Sequence, residues 1–107
     1  MAKLENKFQA ELIKELKRRF EGCIVCKMDS SYIQGIPDLL ILHKNHWALL
    51  ECKKDAKASH RPNQDYYVDL ANRMSFAAFI CPENKDEVLE QMEVMFNGLE
   101  TTQELGR

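Results

Sequence analysis

Residues 35–53, GIPDLLILHKNHWALLECK, decide the fold. Two apolar runs, Leu39–Leu42 and Trp47–Leu50, flank the polar pair Lys44-Asn45, so residues 37–42 and 46–53 read as two strands of a hairpin. If the chain reverses at Lys44-Asn45, residues facing each other have numbers summing to 89, so Leu42 faces Trp47, Leu40 faces Leu49, and Asp38 faces Glu51. Directly opposed side chains on one sheet face have Cβ atoms about 5 Å apart. The two-residue period of a strand places Lys53 on the same face as Glu51 and turns Cys52 to the other. Two carboxylates and an ammonium are thereby expected to converge at the open end of a hairpin.

Outward from the hairpin, the pattern is α-β-β-β-α-β-α. Phe8, Leu12, Leu16 and Phe20 recur every four residues and predict an amphipathic helix over about 4–20. Gly22 stops it, and Cys23-Ile24-Val25-Cys26 reads as a short buried strand. Residues 29–35 are a loop. Residues 54–61 are polar, and Pro62 opens a helix expected to run through Tyr66, Tyr67, Leu70, Ala71 and Met74. Residues 75–81 form a fourth strand ended by Pro82, and Val88, Leu89, Met92, Met95, Phe96 and Leu99 mark a last amphipathic helix over about 84–99, with a frayed polar tail.

A chain of 107 residues fits one domain, here 1–107, with enough buried surface for a core that needs no structural metal. Apolar residues at 45% and charged residues at 30% exclude a disordered or low-complexity chain. No run approaches a membrane span and the start carries no apolar signal core, so a cytoplasmic protein with reduced thiols is expected. Cys23 and Cys26 have the spacing of a zinc knuckle, yet no second close pair accompanies them. The net charge of −2 conceals an asymmetry: residues 1–82 hold 13 basic and 10 acidic side chains, residues 83–107 hold 2 and 7. The body is mildly basic and the tail acidic.

Like charges opposed across a strand pair repel, so Asp38 and Glu51 call for a cation. A divalent ion such as Mg²⁺ takes one or two carboxylates, waters and substrate phosphate oxygens, and Lys53 beside it can orient a nucleophile or stabilise a developing anion. That combination is the chemistry of phosphodiester hydrolysis. On a helical wheel centred on Glu5, Leu12 and Leu16 lie about 20° to either side, so Glu5 points inward as a third acid while Glu11 faces solvent.

The strings GIPD (35–38), ECK (51–53) and RPNQ (61–64), with the preceding LENKFQAEL helix, resemble the PD-(D/E)xK nucleases, in particular their VRR-Nuc and Holliday-junction-resolvase-like branch, over residues 4–81. The resemblance implies a restriction-endonuclease-like α-β-β-β-α-β core, a mixed central sheet flanked by helices. It also implies Glu5, Asp38 and Glu51 as ligands of Mg²⁺ or Mn²⁺, Lys53 as catalytic lysine, and Gln64 as the branch's glutamine. The expected activity is metal-dependent endonucleolytic cleavage of branched DNA by a homodimer of phage or bacterial origin. Lys54, Lys57, His60 and Arg61 form a basic loop beyond the site where phosphate contacts are useful. A catalytically silent nucleic-acid-binding module and a protein-interaction domain using the Met-rich last helix are the alternatives. For His43, His46 and His60 nothing in the sequence supports a general-base role.

Overall fold

The computed structural model describes residues 2–105, and side chains for 4–98. The elements are α1 (Ala2–Arg19), β1 (Ile24–Lys27), β2 (Leu39–His43), β3 (His46–Cys52), α2 (Pro62–Met74), β4 (Phe76–Ile80) and α3 (Lys85–Leu105). The strands form one mixed sheet in the order β1-β2-β3-β4, with β1/β2 and β2/β3 antiparallel and β3/β4 parallel. A parallel pair needs a crossover of a dozen or more residues, which α2 supplies.

The hairpin register is the one the sequence predicts: Leu42 pairs with Trp47 and Leu40 with Leu49. The turn is the two-residue Lys44-Asn45, with Lys44 in the left-handed region at φ 58°. The ladder ends at Leu39 and Leu50, so Asp38 and Glu51 lie one step past it.

The two sheet faces bury different partners. Leu39, Ile41, Ala48, Leu50 and Cys52 pack against Phe8, Leu12, Leu16 and Phe20 of α1 and Val88, Leu89, Met92 and Phe96 of α3. Leu49 and Ala77, on the opposite face, meet Val68 and Ala71 of α2. Lys85 Nζ ties α3 to α1 through Glu15 Oε1 at 2.7 Å, and that ion pair holds the Glu15 carboxyl below its ordinary value.

Four expectations need correction. The strand expected at 23–26 runs Ile24–Lys27 and is not buried: β1 is a sheet edge, and Ile24 is 58% exposed. The strands expected over 37–42 and 46–53 run Leu39–His43 and His46–Cys52, so Asp38 and Lys53 sit just outside them. The third helix continues to Leu105 through residues expected to fray; no proline interrupts 100–105, and Glu and Gln are good helix formers. Leu99, expected on its apolar stripe, lies outside the residues whose side chains are described. The fourth correction concerns the acids and is given with the site. Among the described residues no helix is long and apolar enough to cross a membrane.

Candidate active site

The open end of the β2–β3 hairpin forms the floor of a cleft of about 730 Å³ lined by Glu5, Asp38, Glu51, Lys53 and Gln64 together with Lys54, Lys57 and Arg61. Each residue arrives by a different route. Pro37 is fully buried and directs the chain into β2, leaving Asp38 at the strand mouth. Asp38 is held from both sides: its carbonyl accepts the Met28 N–H at 2.8 Å, and its Oδ2 accepts the Cys52 N–H at 2.8 Å. Glu51 and Lys53 project from the end of β3, 4% and 8% exposed. Cys52 between them is buried in the α1/α3 core, as strand alternation requires.

Gln64 joins the acid to the amine. Its Oε1 accepts from Lys53 Nζ at 2.8 Å and from the Arg61 N–H at 3.1 Å, and its Nε2 donates to Glu51 Oε2 at 3.0 Å. Lys53 Nζ also donates to the Ser59 carbonyl at 3.1 Å and lies 3.9 Å from Glu51 Oε2. The Ser59 carbonyl is a partner that sequence reading misses, since a backbone acceptor in a polar loop leaves no residue-type signal.

Burial, then the neighbouring Asp38 charge, pushes the Glu51 carboxyl from an ordinary 4.5 up to about 7, against the pull of Lys53. Burial also raises Asp38, and Glu5 adds to the rise, while the Cys52 N–H and Lys53 oppose it. Burial and the two acids raise the Cys52 thiol as well.

The three acids line one cleft but do not meet at a point, contrary to expectation. Among the described residues, no three His, Cys, Asp or Glu side chains form a ready-made metal cage. Asp38 and Glu51 each turn an oxygen toward a protein donor, the Cys52 N–H and Gln64 Nε2. The donor set still fits a hard divalent ion. The buried Glu51, the half-buried Asp38 and Glu5 on the cleft wall offer oxygen ligands, and Mg²⁺ is commonly held by one or two carboxylates with waters completing its shell.

Of the expected basic loop, Lys54, Lys57 and Arg61 line the cleft and His60 does not. The His60 ring stacks on Phe79 with centroids 3.7 Å apart, and its Nδ1 lies 3.1 Å from Asp65 Oδ1. His43 and His46 stack against Phe96 at the turn end of the hairpin, remote from the acids. Sequence reading also misses a second, smaller cleft bounded by Ser30, Ser31, Gln34, Gly35, Ile36 and Asn63, which shares Asp38 and Glu51 with the first.

No protein-family model and no curated protein matches the sequence. Among solved structures, one titled "VRR_NUC domain" superposes with a TM-score of 0.58 at 26% sequence identity, over 76% of this chain and 92% of that one.

Proposed function

We propose that this chain, which is similar over 76% of its length to a solved VRR_NUC domain, is a nuclease of the PD-(D/E)xK class: a Mg²⁺- or Mn²⁺-dependent endonuclease that hydrolyses phosphodiester bonds in branched or otherwise distorted DNA. One observation carries the reading: the buried Glu51 and the half-buried Asp38 sit beside a lysine, with one glutamine bonded to both the lysine and Glu51. Asp38, Glu51 and Glu5 are the residues that would hold the ion. When bound, it polarises the phosphodiester and makes a water acidic enough to attack at neutral pH.

The remaining work falls to the chain. Lys53 has three N–H donors; Ser59 and Gln64 take two, which leaves one for a phosphoryl oxygen or the attacking water in the cleft that Lys53 lines. Gln64 keeps that ammonium beside Glu51 and limits its motion. Lys54, Lys57 and Arg61 place phosphates along the cleft through contacts that carry no base sequence. Recognition is then by DNA shape.

The homodimer is part of the proposal and rests on α3, where Val94 is 68% exposed and borders an open apolar cavity with Met95. Light scattering should return twice the chain mass of 12.5 kDa. The function is tested with a labelled panel of duplex, single strand, flap and four-way junction in Mg²⁺, Mn²⁺ or EDTA. Cutting of a branched substrate only with metal is expected. No product from any substrate, or the same product in EDTA, rejects the nuclease reading, and cleavage of one linear sequence with branched DNA ignored rejects recognition by shape.

A further inference from the structure

The acids at the hairpin mouth look out on two unlike walls. On one side stand Lys54 and Lys57. On the other is the second cleft, about 260 Å³, walled by Ser30, Ser31, Gln34 and Asn63, with Asp38, Glu51, Arg61 and Gln64 common to both. Among the described residues no lysine lines this second wall. A phosphate backbone follows cations, whereas neutral hydroxyls and amides match the donor and acceptor edges of a base.

The loop that builds this wall is tied down. Asp29 Oδ1 accepts the Ser31 N–H at 2.9 Å and its hydroxyl at 2.6 Å, and the Asp29 carbonyl accepts the N–H groups of Tyr32 and Ile33. Asn63 Nδ2 donates to the Gln34 carbonyl at 3.3 Å. Gly35, at φ +92°, lies so close to α2 that an added Cβ would stand 2.9 Å from Asn63. On this fixed loop, next to Ser31, the ring of Tyr32 is 84% exposed. Exposed aromatic rings beside a phosphate track are the surfaces on which unpaired bases stack.

We infer that Tyr32 and the cleft of Ser30, Ser31, Gln34 and Asn63 form a subsite for one unpaired nucleobase beside the bond that is cut. The inference rests on the nuclease reading and narrows it: the substrate class is DNA with an unpaired nucleotide at the cut, not continuous duplex. The base sits against the neutral wall while the phosphate on its other side passes over Asp38 and Glu51 toward Lys54 and Lys57.

The test is a coupling cycle read by fluorescence anisotropy with Ca²⁺ in place of Mg²⁺, using a fluorescein-labelled flap DNA and the same flap with a single abasic residue at each position flanking the branch. Tyr32→Ala should weaken binding of the intact flap by about 5- to 150-fold, the range of one base stacked on one aromatic ring. Tyr32→Phe should bind like the unchanged protein. An abasic residue at one position should weaken the unchanged protein comparably and Tyr32→Ala no further. Equal affinity of Tyr32→Ala and the unchanged protein, equal abasic losses in both, or no binding of the flap overturns the subsite. Cleavage of the same flap in Mg²⁺ separates the two claims: cutting without coupling leaves the nuclease and removes the subsite, and coupling without cutting does the reverse.

Discussion

Replacing Glu51 by Gln should make the metal-free protein more stable at pH 8 and leave it nearly unchanged at pH 5. In the folded chain, burial and Asp38 raise the Glu51 carboxyl from 4.5 to about 7. A carboxyl whose folded-state value lies above its unfolded one keeps its proton better when folded. Its stabilising contribution is full below about 4.5 and is lost as pH rises through about 7. The loss over that window amounts to about 3 kcal/mol. The amide that Glu51→Gln introduces stays neutral and still offers an oxygen to Gln64 Nε2, so the hydrogen bond that Glu51 now accepts can survive. Urea denaturation in EDTA across pH 5 to 8.5 should show the two proteins converging at the acid end and Glu51→Gln ahead by about 3 kcal/mol at the alkaline end. Mg²⁺ added at pH 8 should raise the midpoint of the unchanged protein and move the variant much less. Parallel pH curves for the two proteins, or a variant less stable at pH 8, would refute the claim that a buried, unbalanced carboxylate sits at this site.

Lys53→Ala should lower the cleavage rate by about 100- to 1,000-fold, the cost of removing one positioned donor to a developing anion, while DNA binding in Ca²⁺ is retained; equal losses in both assays would move Lys53 from chemistry to affinity. Gln64→Ala should reduce cleavage by about 10- to 100-fold and stability by about 1 kcal/mol, because it removes the Lys53 and Glu51 partners together with the first-turn bond to the Arg61 N–H. Combined with Lys53→Ala it should add little further loss of rate, and full additivity would deny the coupling. Gly35→Ala should cost about 2–4 kcal/mol in urea denaturation, since φ +92° and a Cβ 2.9 Å from Asn63 combine backbone strain with a clash; an unchanged midpoint would show that the loop yields.

The hairpin was legible because two local signals agree. A two-residue loop fixes the register, and the apolar runs on either side fix the faces, so Asp38, Glu51 and Lys53 followed from counting. Glu5 reached the same cleft because the wheel places it in line with Leu12 and Leu16, both buried. What failed depends on neighbours that no local pattern encodes. Cys23–Cys26 is apolar enough for a core strand, yet as the sheet edge its strand leaves Ile24 in solvent. His60 belongs by composition with Lys57 and Arg61, and the half-buried Phe79 of β4, remote in sequence, takes its ring. The neutral wall of the second cleft exists only because Gly35 lets a loop lie against Asn63, a contact between segments 28 residues apart.

Gln64 shows why the site and the fold cannot be varied separately. Helix N-caps are usually closed by a short Ser, Thr, Asp or Asn, and Arg61 occupies that position in α2 with no side-chain oxygen to offer. Part of the task passes to Gln64 at the third helical position, whose Oε1 takes the Arg61 N–H. The same oxygen takes Lys53 Nζ, and with both bonds made the amide nitrogen is left facing Glu51. The amide therefore has one orientation, and it is set by the helix. Glutamate at this position could accept from Arg61 and Lys53 but would bring a further carboxylate against Glu51, whose proton affinity is already raised by burial and by Asp38. Leucine would leave Lys53 with Ser59 and only the 3.9 Å approach to Glu51 Oε2. A neutral side chain with an acceptor and a donor at its end satisfies all three neighbours, so the requirement for Gln64 follows from the charges around it.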